Sequence, residues 1–240
     1  MARQSSSQQE VDVSTFDFAS KQGWNDFYQQ REQKEQSGSS PTNVPVRPTS
    51  STSRTSSDNS FEFEWHSSID HSYILSSIEK GSNVLFVGTG NSNLPRSLYD
   101  AHDGNTKITC VDYSQPCIDM MENMHQASAP TMDFVCGDAT DLVGLVGGGS
   151  SSTPYDFVVD KGLMDAMVCG EGWDWDLERY FKGVKSLLEE RAGKIILITF
   201  KLTSPMKSYL DDIGESYDII WDLDIEERSN ERVSFSVGSC

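Results

Sequence analysis

Three carboxylates each follow a short run of apolar and β-branched residues, and these are the groups best placed to do chemistry. Asp112 ends the run KITCVD (107–112), Asp138 lies in MDFVCGDA (132–139), and Asp160 lies in YDFVVDKG (155–162). A fourth run, NVLFVGTG (83–90), ends in a glycine turn, Gly88-Thr89-Gly90-Asn91-Ser92. Gly88 and Gly90 let the backbone bend tightly and approach a ligand closely, with Asn91 beside them. Asp112 stands 22 residues after Gly90. At a strand end an acid so placed can accept hydrogen bonds from both hydroxyls of a ribose, with Tyr113 against a flat base. The alternative for Asp112 is a cap on the following helix, a place that Ser114 can also fill. Asp138 suits the exocyclic amine of an adenine, and the Ala139 N–H suits a ring nitrogen.

The fourth strand end reads Asp160-Lys161-Gly162-Leu163-Met164-Asp165-Ala166. Asp160 or Asp165 can orient an incoming amine or take its proton, and Lys161 can bond backbone or cofactor. A third glycine is missing from the turn, where Asn93 stands instead. That disfavours a dinucleotide, whose pyrophosphate wants a glycine-lined helix N-terminus. S-adenosylmethionine (SAM) carries an adenosine without phosphate and meets no such demand. The Asn/Asp-Pro-Pro-aromatic tetrapeptide expected of amide and adenine-amine methylation is absent. Four scattered histidines, His66, His71, His102 and His125, give no convincing metal spacing, so no metal is expected.

These groups need a scaffold that brings strand ends together. The short Val/Ile-rich runs read as strands buried on both faces, hence parallel. They alternate with helix-like stretches at 68–80, 93–102, 115–126 and 174–190, the last with Leu177, Phe181, Val184 and Leu188 at helical spacing. GKIILITF (193–200) is a fifth strand, 205–213 a short helix, and 217–225 with 232–238 a closing antiparallel pair. The expected fold is α/β, a Rossmann-like seven-stranded sheet of the class I SAM-dependent methyltransferase type. The stretch 143–153, GGG-containing, reads as a flexible loop.

Ahead of this domain (61–240) the chain is different. Residues 1–15 read as a disordered N-terminus. Residues 16–36 carry Trp24, Phe27 and Tyr28 on one helical face, which calls for burial. Of the 24 residues in 37–60, thirteen are Ser or Thr and three are Pro, a composition that favours a disordered insertion.

The net charge of −18 falls almost wholly on residues 61–240. Direct binding to nucleic acid is therefore not expected, and a basic partner is. Residues 211–231 hold nine acids and one base, a surface that would suit such a partner. No run approaches the ~20 apolar residues of a membrane span. Five cysteines without a CxxC pair fit a reducing compartment, and the cytoplasm is expected, with the nucleus not separable by sequence. Oligomeric state is not legible.

The chain resembles the eukaryotic methyltransferase-like group that includes lysine methyltransferases acting on translation elongation factor 1-alpha. The likeness rests on Trp24 to Tyr28, Glu64-Trp65, the run Val84 to Ser92, Asp112-Tyr113-Ser114, and Asp160-Lys161-Gly162 with Asp165-Ala166. It implies that Trp24, Tyr28, Trp65, Gly88, Asp112, Tyr113, Asp138, Ala139 and Lys161 contact SAM, with 16–36 as an aromatic lid. It also implies methyl transfer to a lysine of a basic protein. His66 departs from the group's usual Tyr or Phe, Thr89 from Cys, and Leu163-Met164 from Thr-Leu. A small-molecule acceptor and a SAM-binding module without turnover remain as alternatives.

Overall fold

Seven strands form one sheet in the order β3-β2-β1-β4-β5-β7-β6 in the computed structural model, which describes residues 16–36, 65–147, 154–188 and 192–240. The strands are β1 (Asn83–Val87), β2 (Lys107–Asp112), β3 (Met132–Cys136), β4 (Phe157–Lys161), β5 (Lys194–Phe200), β6 (Ile220–Asp222) and β7 (Val233–Ser239). β1 through β5 pair in parallel, and β7 runs antiparallel between β5 and β6. The expected α/β architecture and its closing antiparallel pair are present. The sequences expected for 1–15 and 37–60 lie outside the described residues.

The parallel register decides where the site is. Val87 stands opposite Val111 on one side and Asp160 on the other, while Asp112 pairs with Cys136 and Lys161 with Ile198. The carboxyl ends of all five strands therefore reach one edge. The chain order reverses between β1 and β4, and in such sheets that reversal opens the crevice where ligands sit.

Both sheet faces are covered, which explains the uninterrupted apolar runs. All five residues of β1 are buried. One face packs on α7 (Trp173–Leu188) and α8 (Ser204–Tyr217), through Leu177, Tyr180, Phe181, Val184, Leu210 and Ile213. The other packs on α2 (His71–Ser77) and α3 (Leu94–Ala101), through Ile74, Leu94 and Leu98. A third cluster joins α1 (Lys21–Gln36) to α4 (Gln115–His125), with Trp24, Phe27 and Tyr28 on Cys117, Met120 and Met121. Each ring buried there contributes about 4–6 kcal/mol before ordering costs. That burial is what seats α1, whose sequence is otherwise polar. Ser20 starts this helix by accepting the Gly23 N–H at 3.1 Å.

Three expectations need correction. Residues expected to be a loop from 143 onward begin as α5 (Leu142–Val146), because Leu142 is buried against α7 at Gly183; residues 148–153 are outside the described part. The helix expected at 205–213 continues to Tyr217 and stops at Asp218 in a left-handed conformation, φ +54°, which shortens β6 to three residues. A five-residue helix, α6 (Leu163–Met167), was not anticipated. Among the described residues no helix is long and apolar enough to cross a membrane.

Candidate active site

Asp112 is the hub of the cleft. It is 7% exposed, and its two oxygens accept the Gly90 and Ser114 N–H groups, each at 2.9 Å. Burial pushes its carboxyl up, and the two amides, with Lys21 nearby, oppose that. Asp112 thus ties the glycine turn to the start of α4, the helix-start role that the sequence offered as its alternative. Ser114 adjoins α4 but gives it no side-chain cap.

The glycine turn is forced by geometry. Gly88 and Gly90 have φ of +58° and +52°. A Cβ on Gly88 would come within 2.7 Å of Leu163, and one on Gly90 within 2.8 Å of the Tyr28 hydroxyl. Asn91, also in the turn, is 2% exposed. The helix that follows is poorly furnished for phosphate. Leu94 N–H is taken by Ser92 Oγ at 3.1 Å, Pro95 has no N–H, and the Ser97 N–H bonds Asn93 O at 2.8 Å. An adenosine without phosphate fits this donor set; a pyrophosphate does not.

At the next strand end Asp138 is exposed and accepts the Thr140 N–H at 2.9 Å, opening a one-turn 3-10 segment in which Ala139 is buried. Tyr113 is half-buried with Lys21 Nζ 6.0 Å from its ring centre. On the other side Trp24 and Tyr28 stack at 6.0 Å with planes 24° apart, and Trp65 meets Trp24 and Phe18 edge-on at 6.0 and 5.7 Å. The Trp24 indole N–H is spent on Phe18 O at 2.8 Å. Tyr28 is 4% exposed and its hydroxyl lies over Gly90, with burial, Cys117 and Asp112 all raising its pKa. Trp24, Tyr28, Trp65, Gly90 and Asp112 are therefore gathered around one turn, as an aromatic cover on the glycine loop.

The fourth strand end differs from expectation. Asp160 is fully buried. It accepts the Leu163 N–H at 2.8 Å, the Met164 N–H at 3.2–3.3 Å and the Tyr180 hydroxyl at 3.1 Å. Burial pushes its pKa up to about 7, with Asp165 adding to the rise. Enclosed in this way it faces protein rather than an acceptor, so its observed work is to fix the turn into α6. Lys161 is half-buried beside it, and Gly162 turns the chain with φ +93°.

Asp165 is also engaged. His66 Nε2 lies 2.7 Å from its Oδ2, and the Phe200 N–H points to both oxygens at 3.1 Å. The His66 side chain is 2% exposed, its backbone has φ +54°, and its ring meets Phe200 edge-on at 4.9 Å. Phe200 and Tyr180 were not singled out by sequence reasoning, and His66 and Leu163 only as departures from the group's pattern. His66 and Asp165 are 99 positions apart, and no spacing rule connects them.

No protein-family model matches the chain. It is similar to the eEF1A lysine and N-terminal methyltransferase of Danio rerio, 31% identical over 115 residues, which cover 45% of this chain and 15% of that one. The Homo sapiens protein of that name is 28% identical over 142 residues, 57% of this chain and 18% of the other. The chain thus matches less than a fifth of these relatives' length. A Danio rerio mitochondrial citrate synthase-lysine N-methyltransferase is 27% identical over 147 residues, 58% of this chain and 51% of that one. Among solved structures, a putative O-methyltransferase from Nostoc punctiforme superposes with a TM-score of 0.55 at 14% identity, over 71% of this chain and 55% of its own. A SAM-dependent methyltransferase from Aquifex aeolicus gives 0.50 at 13%, over 71% and 89%. The fold is that of the class I SAM-dependent methyltransferases, and the resemblance drawn from the sequence motifs holds.

Proposed function

We propose that this chain is a SAM-dependent methyltransferase that modifies a lysine side chain of a basic protein in the cytoplasm. The observation that carries this reading is Asp112, a buried carboxylate at the end of β2 whose oxygens hold the glycine turn on one side and the start of α4 on the other. The sequence relatives, whose names include lysine methylation of eEF1A, support the lysine acceptor. The net charge of −18 supports a cationic partner. Free cysteines throughout the chain suit a reducing compartment.

In this reading Asp112 accepts the ribose hydroxyls, Tyr113 lies on the adenine, and Asp138 with the Ala139 N–H reads the adenine edge. The turn at Gly88 and Gly90 leaves room for the amino-acid end, and Lys161 lies beside it. When bound, SAM supplies an electrophilic methyl on a sulfonium. The acceptor amine must arrive unprotonated and in line with the breaking sulfur–carbon bond. The nitrogen gains the methyl, the sulfur keeps the bonding electrons, and the spare N–H proton leaves to water. No strong base is required, so positioning carries most of the rate gain. Asp160 and Asp165 serve that positioning by fixing α6 and the end of β5, and Trp24, Tyr28 and Trp65 exclude water from above.

Titration calorimetry with SAM, set against an Asp112→Ala variant, tests this. Wild-type protein binds, and the variant loses at least ~1 kcal/mol of binding, the value of a hydrogen bond to a charged group. Incubation with tritiated SAM and purified eEF1A then tests the acceptor. Failure to bind SAM defeats the proposal; binding without a labelled lysine defeats only the acceptor.

A further inference from the structure

Phe200 is the last residue of β5 and remains 56% exposed. A single exposed aromatic is ordinarily unremarkable on a protein surface. This one is fixed from three sides. Its N–H is held by both oxygens of Asp165 at 3.1 Å. Its ring stands edge-on to His66 at 4.9 Å, and its backbone pairs with Val233 of β7. His66 in turn is buried, bonded to Asp165 at 2.7 Å, and sits in a left-handed conformation that costs a non-glycine residue about 1–2 kcal/mol. Strain of this kind persists where the surroundings over-determine a geometry, and it clusters at functional sites. Here the geometry being fixed is the backbone that presents a solvent-facing ring, with His66 against the ring itself.

Its place on the sheet gives that ring a direction. β5 is the immediate neighbour of β4, with Lys161 opposite Ile198, so Phe200 projects two residues further at the carboxyl edge. Asp112, at the end of β2, lies on the other side of the switch point between β1 and β4. If adenosine is held on the β2 side, an acceptor approaches from the β4 and β5 side. Gly162, at the end of β4, packs beside the same wall: a Cβ on it would stand in van der Waals contact with His66 Nε2 at 3.5 Å and Trp65 Cβ at 3.7 Å.

We propose that Phe200, braced by Asp165 and His66, is the wall of the acceptor channel and selects a long aliphatic amine, the side chain of lysine. The proposal rests on the methyltransferase reading given above. The ring face covers the methylene stem by apolar contact and attracts an ammonium or methylated ammonium by its quadrupole. Asp165, whose side chain is 14% exposed, places a carboxylate at the rim of the same wall. Phe200 is thus a specificity-determining residue, and Asp165 and His66 are positioning residues that act through it.

The experiment uses the full chain, isotopically labelled for NMR and saturated with S-adenosylhomocysteine, and titrates it with N-acetyl-lysine methylamide. Saturable shifts are expected at the amides of Phe200, Gly162 and Ala166. Phe200→Ala should weaken the apparent affinity about tenfold, the scale of a lost cation–π and stem contact. Phe200→Tyr should restore it, and N-acetyl-norleucine methylamide, which lacks the amine, should bind less well than the lysine probe. Because Phe200 is exposed, its truncation leaves the core intact, and the dispersion of the spectrum verifies that. Shifts absent from those three amides, equal affinity in Phe200→Ala, or equal binding of the norleucine probe overturns the proposal. Calorimetry with S-adenosylhomocysteine alone reports separately on the cofactor reading, since a wild-type chain that does not bind it fails there, while the lysine titration is still read on the unliganded chain.

Discussion

A double substitution at Gly90 and Tyr28 tests whether the aromatic helix sits on the glycine turn. In Gly90→Ala the new methyl comes within 2.8 Å of the Tyr28 hydroxyl, and the next nearest atom, the ring carbon that bears it, is 4.0 Å away. Tyr28 cannot swing aside cheaply, being 4% exposed and stacked on Trp24. The alanine also inherits φ +52°, which costs about 1–2 kcal/mol by itself. Overlap with a pinned hydroxyl adds about 1–3 kcal/mol. Tyr28→Phe removes the oxygen and leaves the methyl at ordinary contact distance, so the overlap vanishes while the backbone strain stays. Tyr28→Phe alone forfeits a hydroxyl contact with Cys117, a small loss. Urea unfolding of the wild type, both single variants and the double variant gives the coupling energy. The double variant should be more stable than the sum of the single effects by about 1–2 kcal/mol. Strict additivity refutes the docking of α1 over the turn. SAM titration of the same four proteins then tells whether an intact cover matters for binding.

Burial raises the Asp160 carboxyl to about 7, so the folded state keeps a proton that the unfolded chain releases near 4. Stability therefore falls as pH rises from about 4 to about 7 and levels off above. Asp160→Asn keeps an acceptor for the Leu163 and Met164 N–H groups without the charge. It should remove that slope and gain on the order of a few kcal/mol at pH 8, read as the difference in urea midpoints between pH 5 and 8; a wild-type slope retained by the variant contradicts this. Ser20→Ala removes the cap on α1 and should cost ~1 kcal/mol. Hydrogen exchange should then quicken at residues 21–28 and not in β4, and an equal rise in both would mean that the helix is not an independent unit.

The sheet was legible because burial on both faces leaves a local trace. Val84, Ile108, Val158 and Ile196 are strand residues of high β propensity with fully or nearly fully buried side chains, and the first three of their runs end in glycine or acid. The place of Asp112 at a strand end was legible for the same reason: register carries the strand ends to one edge. Short elements were less legible. α5 and α6 have five residues each, too few to show a period, and they form because Leu142 and Met164 are buried against neighbours distant in sequence. Asp160 and Asp165 were found as residues but not in their surroundings. The partners that enclose the first, Tyr180, and brace the second, His66 and Phe200, come from other elements, and only the fold brings them together.

The start of α3 has a consequence for which adenosine compounds this cleft admits. ATP and NAD share the ribose and base that Asp112, Tyr113 and Asp138 are suited to grip, and in a cell both compete for any such grip. Their phosphates would meet Leu94 already engaged by Ser92 and a proline in place of an amide. Discrimination against abundant nucleotides is then built from donors withheld at one helix end, and it needs no extra contact to the sulfonium.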